Sequence, residues 1–170
     1  MPVKLKKAAL QAANENPAAL DQPLQEAVKA FQPVVEMRPI GELQPNSRKL
    51  KVHPDKQIQL LAAGLTEFGF VVPIVIDDDG TILAGHGRFL AAKRLGLTIV
   101  PTVQVAHLTP ERKRAFAIAD NRLAELGHWD FEVLNLELQE LFSLELDFNI
   151  EITGTSRSRA SRPSTSTGRW

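Results

Sequence analysis

The chain has 170 residues, twenty basic side chains balanced by twenty acidic ones, four histidines and no cysteine. Zero formal charge argues against a uniformly basic nucleic-acid coat and leaves only a local patch open, while the lack of cysteine excludes disulfides and thiolate metal sites. No stretch is long and apolar enough to span a membrane, and the opening "MPVKLKKAALQAANENP" lacks the apolar core of a secretory signal, so the expectation is a cytoplasmic protein with no membrane partner.

Residues 1–32 are rich in Ala, Gln and Lys, and Pro17, Pro23 and Pro33 break any long helix, so they read as a flexible N-terminal arm. "VVEMRPI" (34–40) alternates as a short strand does, and "ELQPNSRKLKVHP" is a loop with Pro45 and Asn46 as turn signals. From Asp55, the residues Ile58, Leu61, Leu65 and Phe68 recur at helical spacing, and Gly69 is a good stop. "VPIVID" and "TILAG" around an Asp-Gly turn predict a hairpin. Phe89, Ala92 and Leu95 predict a short helix closed by Gly96, followed by a strand over 98–105. Thr109, Pro110 and Glu111 form a helix start; that helix runs from about 110 to 124 with Phe116, Ala119 and Leu123 expected on its packed face. A last amphipathic helix covers 130–142, with Phe131, Leu134, Leu138 and Leu141 as its stripe and Trp129 expected to be buried as an anchor. The order β-α-β-β-α-β-α-α predicts an α+β domain over 33–126 with a small mixed sheet packed by helices, then a helical extension over 127–152. "TGTSRSRASRPSTSTGRW" offers almost nothing to bury, so 153–170 reads as a disordered tail.

Two stretches are candidates for chemistry. In "ILAGHGRFLAAKRLG" a strand runs into a helix through Gly85, His86, Gly87 and Arg88. The first N–H groups of a helix lack internal partners and carry partial positive charge, so such a junction offers donors to an anion, and an arginine can grip phosphate through two nitrogens. The alternative is a tight joint whose glycines serve geometry alone, and short glycine motifs are common. In "IADNRLAE" (118–125), the Asp120 carboxylate and the Asn121 carbonyl suit Mg²⁺, and Arg122 could take a phosphate; here the alternative is a solvated helix face. His53, His107 and His128 lack metal-ligand spacing. The basic run "SRKLK" (47–51) could touch a backbone phosphate, and "DDDG" (77–80) is explained by turn chemistry.

Taken in order, "LQPNSRK", "IQLLAAGLTEFGFVVPIVIDDDGTILAGHGRFLAAKRLGLTIVPTVQV" and "LTPERKRAFAIADNRLAEL" resemble the ParB N-terminal domain of the ParB/sulfiredoxin superfamily over about 34–126. The pattern is most similar to ParB-like domains that precede phage and bacterial DNA methyltransferases. The resemblance implies a ParB/sulfiredoxin-like fold and a nucleoside triphosphate, CTP, held with Mg²⁺. In partition ParB proteins a Gly-Glu-Arg-Arg turn binds CTP phosphates; Gly85 and Arg88 match it, whereas His86 and Gly87 depart from it. The later Glu-Asn-x-x-Arg motif corresponds to Asp120, Asn121 and then Ala124, so its arginine is replaced. Sulfiredoxin chemistry needs a cysteine that this chain lacks.

These implications give nucleotide- or phosphate-binding residues Gly85, His86, Gly87, Arg88, Asn121 and Arg122, with Asp120 and Asn121 as metal ligands. They also give a DNA-associated accessory module with DNA as partner, serving a DNA methyltransferase or a phage protein, and a homodimer. Two other readings stay open: an enzyme of the same cleft (NTPase, phosphotransferase or nuclease), and a protein-interaction module using the leucine face of 131–142. The change of character after Gly154 carries a further expectation, that the tail is the truncated or out-of-frame end of a longer, methylase-encoding frame.

Overall fold

The computed structural model describes residues 33–155, apart from Lys49. The expected arm over 1–32 and the tail beyond residue 155 lie outside the described residues. From residue 35 onward the elements run β1 (Val35–Pro39), α1 (Asp55–Phe68), β2 (Ile74–Ile76), β3 (Ile82–Ala84), α2 (His86–Arg94), β4 (Ile99–Gln104), α3 (Pro110–Leu126) and α4 (Phe131–Ser143). Short 3-10 turns follow β1, at Ile40–Glu42, and α4, at Ile150–Thr153. The four strands form one mixed sheet in the order β1-β4-β2-β3. β4 lies antiparallel to β1 and parallel to β2, and β2 and β3 form the expected antiparallel hairpin.

The core follows from the apolar runs. Ile74, Ile76 and Ile82 of the hairpin and Val100 of β4 are fully buried, and they pack with Leu43 and with Phe89 and Ala92 of α2. Ile58 and Ala62 of α1 meet Ala91 of α2 in an adjoining cluster, so small residues let the two helices approach closely. Thr102 is the buried polar residue of β4, and its hydroxyl donates to the Glu36 carbonyl at 3.0 Å, which removes the cost of burying it. At the hairpin tip, Asp77 Oδ1 accepts from the Asp79 and Thr81 N–H groups and Asp79 Oδ1 accepts from Thr81 N–H. Turn chemistry therefore accounts for the acidic run, while Asp78 pairs with Lys113 of α3.

Two local expectations need correction. α3 is capped as predicted, with the Thr109 side chain accepting from Arg112 N–H. Its packed face is different, however: Ala117 is buried against the body of the domain, whereas Leu123 is 65% exposed. Lys113, Ala117 and Asn121 recur at i and i+4 and share the inner side, with Phe116 and Ala119 half-buried beside them. The side chosen is the one on which Lys113 meets Asp78 and small Ala117 allows close approach to β3. The second correction concerns Trp129, which is 64% exposed rather than buried. Asp130 starts α4 instead, its carboxylate accepting from Glu132 and Val133 N–H groups. Leu138 of α4 packs on Ile150, and Phe148 meets Phe68 of α1 edge-on with ring centroids 6.0 Å apart. These contacts return the C-terminal segment to α1.

Candidate functional site: a cavity at the start of α2

Gly85 makes the site possible. It sits at φ 94° between β3 and α2, a left-handed conformation that side-chain-bearing residues rarely adopt, and it turns the chain sharply into the helix. The first internal bond of α2 joins Phe89 N–H to the Gly85 carbonyl at 3.0 Å, so the N–H groups of His86, Gly87 and Arg88 precede the helical ladder. These three residues line a cavity of about 600 Å³. One wall is the loop before α1, with Asn46, Arg48, Lys51 and His53; another is Gln57 and Leu61 of α1; α3 contributes Asp120 and Asn121.

The structure thus brings Gly85, His86, Gly87, Arg88, Asp120 and Asn121 to one cavity, although the two groups lie some thirty residues apart in the chain. Arg122 is not part of its lining; its guanidinium pairs with Glu125 at 3.2 Å on the exposed side of α3. Asn121 donates its amide to the Ala117 carbonyl at 2.9 Å, which leaves its side-chain oxygen as the free end. Asp120 is exposed and carries the one carboxylate of the lining.

Arg88 is half-buried, and its Nη2 donates to the Pro73 carbonyl at 3.3 Å. Its Nε is buried without a hydrogen-bond partner. Burial pulls the guanidinium below the usual arginine range, and the negative charge of Asp120 works in the opposite direction. A buried donor with no acceptor is costly.

Gly87 and His86 have duties that sequence pattern does not disclose. A Cβ at residue 87 would stand 2.8 Å from Leu61 Cδ1 and 3.3 Å from the His53 ring, so glycine here lets α1 and the preceding loop close on α2. His86 Nε2 accepts from Asn46 N–H at 3.2 Å, and Asn46 Oδ1 accepts from Arg48 N–H at 2.9 Å. Burial, assisted by the neighbouring His53, lowers the His86 pKa and favours its neutral form. His53 in turn bonds through Nδ1 to Gln57 Oε1 at 3.0 Å. The loop is tied at two further points, by Gln44 backbone bonds to Gly80 and Ile82 and by Lys51 to Glu125 at 3.4 Å. Sequence reasoning passed over Asn46 as a turn former and gave Gln57 no role. The "SRKLK" run was the available signal, since Arg48 and Lys51 both reach the cavity. Among the described residues no group of three His, Cys, Asp or Glu side chains converges to hold a metal ion, and no helix is long and apolar enough to cross a membrane.

A four-stranded mixed sheet with α1 and α2 on its core and a glycine-led helix start facing α3 defines a class, the small mixed-sheet α+β domain. The family model of the ParB N-terminal domain matches residues 24–122, and the chain belongs to that family. It is 38% identical over 77 residues to the ParB-like nuclease domain-containing protein YnaK of Escherichia coli (strain K12), covering 45% of this chain and 88% of that protein. It is 32% identical over 124 residues to the nucleoid occlusion protein of Bacillus mycoides (strain KBAB4), covering 69% of this chain and only 42% of that protein. Among solved structures, the C-terminally truncated chromosome-partitioning protein ParB of Caulobacter crescentus, complexed with CTP-γ-S, superimposes with a TM-score of 0.60 at 26% identity. That match covers 75% of this chain and 74% of the other.

Proposed function

We propose that this chain binds a nucleoside triphosphate, CTP by kinship, in the cavity at the start of α2, and that it acts as a DNA-associated accessory module. The observation that carries the reading is Arg88 lining the cavity together with His86 and Gly87, whose N–H groups precede the hydrogen-bond ladder of α2. A helix start and a guanidinium are the donor types that suit a phosphate group. Arg48 and Lys51 add cationic side chains to the lining, so the cavity suits more than one negative charge. Support from kinship comes from the Caulobacter ParB structure, which carries a CTP analogue.

In this reading Arg88 and the helix-start N–H groups hold phosphate, and Gly85 gives the backbone its approach. Gly87 serves the packing of α1 on α2 and leaves no arginine at its position to add a second grip. Asp120 and the Asn121 side-chain oxygen would hold Mg²⁺, which in turn would neutralise phosphate charge. With one carboxylate present, the ion would take its other ligands from phosphate and water. Arg122, paired with Glu125 outside the cavity, drops out of the phosphate-binding set in this proposal.

The test is a calorimetric titration of the full chain with each of the four nucleoside triphosphates, with and without Mg²⁺ and duplex DNA, alongside phosphate release. Binding that is lost in Arg88→Ala without turnover supports a binding module. Phosphate release abolished by Asp120→Asn would make the cleft an enzyme instead. Co-purification with a DNA methyltransferase or a phage protein, and sedimentation for a homodimer, test the accessory role and its partners.

A further inference from the structure

His86 occupies the first turn of α2, where a phosphate-binding role is the obvious assignment. Its hydrogen bonding points elsewhere. Nε2 accepts from the Asn46 backbone N–H at 3.2 Å, so this nitrogen is unprotonated and already engaged. The acceptor half of the ring holds the loop rather than the cavity, and a nitrogen with its lone pair committed to an N–H cannot donate to a phosphate. Asn46 stands at the head of the cavity-lining loop, and its own side chain caps Arg48 N–H.

We propose that His86 is a positioning residue: in its neutral form it holds Asn46, and with it the wall that carries Arg48 and Lys51, against the start of α2. Protonation would turn Nε2 into a donor facing the donor of Asn46, and the tie would be lost. The surroundings oppose that protonation. His53 stands beside it from the loop before α1, Arg88 lies on its own helix, and Arg48 and Lys51 line the same cavity, against the single carboxylate of Asp120 from α3. Gln57 and Leu61, the α1 residues of the lining, are uncharged. Burial acts in the same direction, pulling the imidazole below the ordinary histidine range. The inference deepens the anion-site reading, but its first readout requires no ligand.

The experiment is nitrogen-15 NMR of the full chain as pH falls from 8 to 5, with His86→Gln and His86→Ala beside the wild type. At pH 8 the His86 ring is expected to carry its proton on Nδ1, with Nε2 bare and coupled to Asn46 N–H. His86→Ala should speed Asn46 amide exchange by about tenfold, the order expected for one lost hydrogen bond. His86→Gln, whose Oε1 can accept in place of Nε2, should restore most of the protection and remove its pH dependence. A proton on Nε2 at pH 8, or an Asn46 amide indifferent to both variants, would overturn the proposal; if His86→Ala fails to fold, the ring tautomer in the wild type still decides. A second arm titrates CTP with Mg²⁺. Positioning predicts weaker binding below the His86 pKa, and His86→Gln should abolish that component. Tighter binding on protonation, lost in His86→Gln, would make His86 a phosphate ligand and the proposal wrong. If CTP binds to neither protein, the nucleotide reading fails while the NMR arm still judges His86.

Discussion

At residue 87 the absence of a Cβ leaves room for the Leu61 side chain of α1 and for the His53 ring. Leu61 Cδ1 stands 2.8 Å from where a Cβ would be, and the His53 ring stands 3.3 Å away. Gly87→Ala should push the end of the Leu61 side chain and the His53 ring aside and change stability by no more than about 1 kcal/mol, because alanine regains helix propensity of that size; urea unfolding measures it. Gly85 is constrained differently: at φ 94° an alanine would cost about 1–2 kcal/mol through backbone strain. His86 adds a pH signature. Its folded-state pKa is depressed below the unfolded value, so the unfolded chain binds the proton more readily. The associated stability is fully present above about 6.5 and is lost as pH falls from there through the folded pKa. In His86→Gln the slope of unfolding free energy between pH 7 and 5 should flatten. Gly85 and Arg88 were legible in the sequence because a strand–glycine–helix junction has a known physical use. The packing duty of Gly87 was not, because nothing in a linear pattern says that Leu61 and His53 arrive there.

Helix existence was plain from periodicity, but which side of α3 faces inward was not. Phe116, Ala119 and Leu123 form the apolar stripe that a hydrophobic-face rule would bury; Phe116 and Ala119 are half-buried, but Leu123 is largely exposed and Ala117 is the buried residue. The inner side is polar because α3 forms a wall of the cavity, with Asp120 and Asn121 lining it and Lys113 tied to Asp78. Periodicity measures a preference for apolar surroundings, and it misplaces the packed face where a helix also lines a polar cavity. Leu123→Gln should shift stability by no more than about 0.5 kcal/mol, whereas Ala117→Leu should cost about 1–3 kcal/mol. Thermal unfolding of the two variants checks the orientation. At α4 Trp129 drew attention as a buried anchor, yet it is exposed, and the Asp130 carboxylate holds two backbone N–H groups at the helix start. Asp130→Ala should cost about 1 kcal/mol of stability, read from the unfolding midpoint.

Across the whole molecule, three separate stretches converge on one cavity: the loop before α1, the start of α2 and the inner face of α3. The order of elements and the mixed sheet were readable in advance, since each strand and helix announces itself locally and the chain resembles a known family. The convergence was only half readable. Asp120 and Asn121 could be paired with Gly85 and Arg88 through resemblance, but Asn46, Arg48, Lys51 and Gln57 enter through tertiary closure, which local pattern does not encode. Zero net charge also concealed the local balance, because the lining carries Arg48, Lys51 and Arg88 against Asp120 alone. The chain spans 42% of the Bacillus nucleoid occlusion protein it matches, so only this domain is compared there.

The central claim is that the cavity at the start of α2 receives a nucleotide through Arg88. The most direct measurement is calorimetric titration of the wild type and Arg88→Ala with CTP and Mg²⁺. The account predicts saturable binding to the wild type and a loss of at least about tenfold in affinity for the variant, the scale of a charge-assisted contact. Equal affinity in the two proteins, or no binding of any nucleoside triphosphate to the wild type, would contradict it.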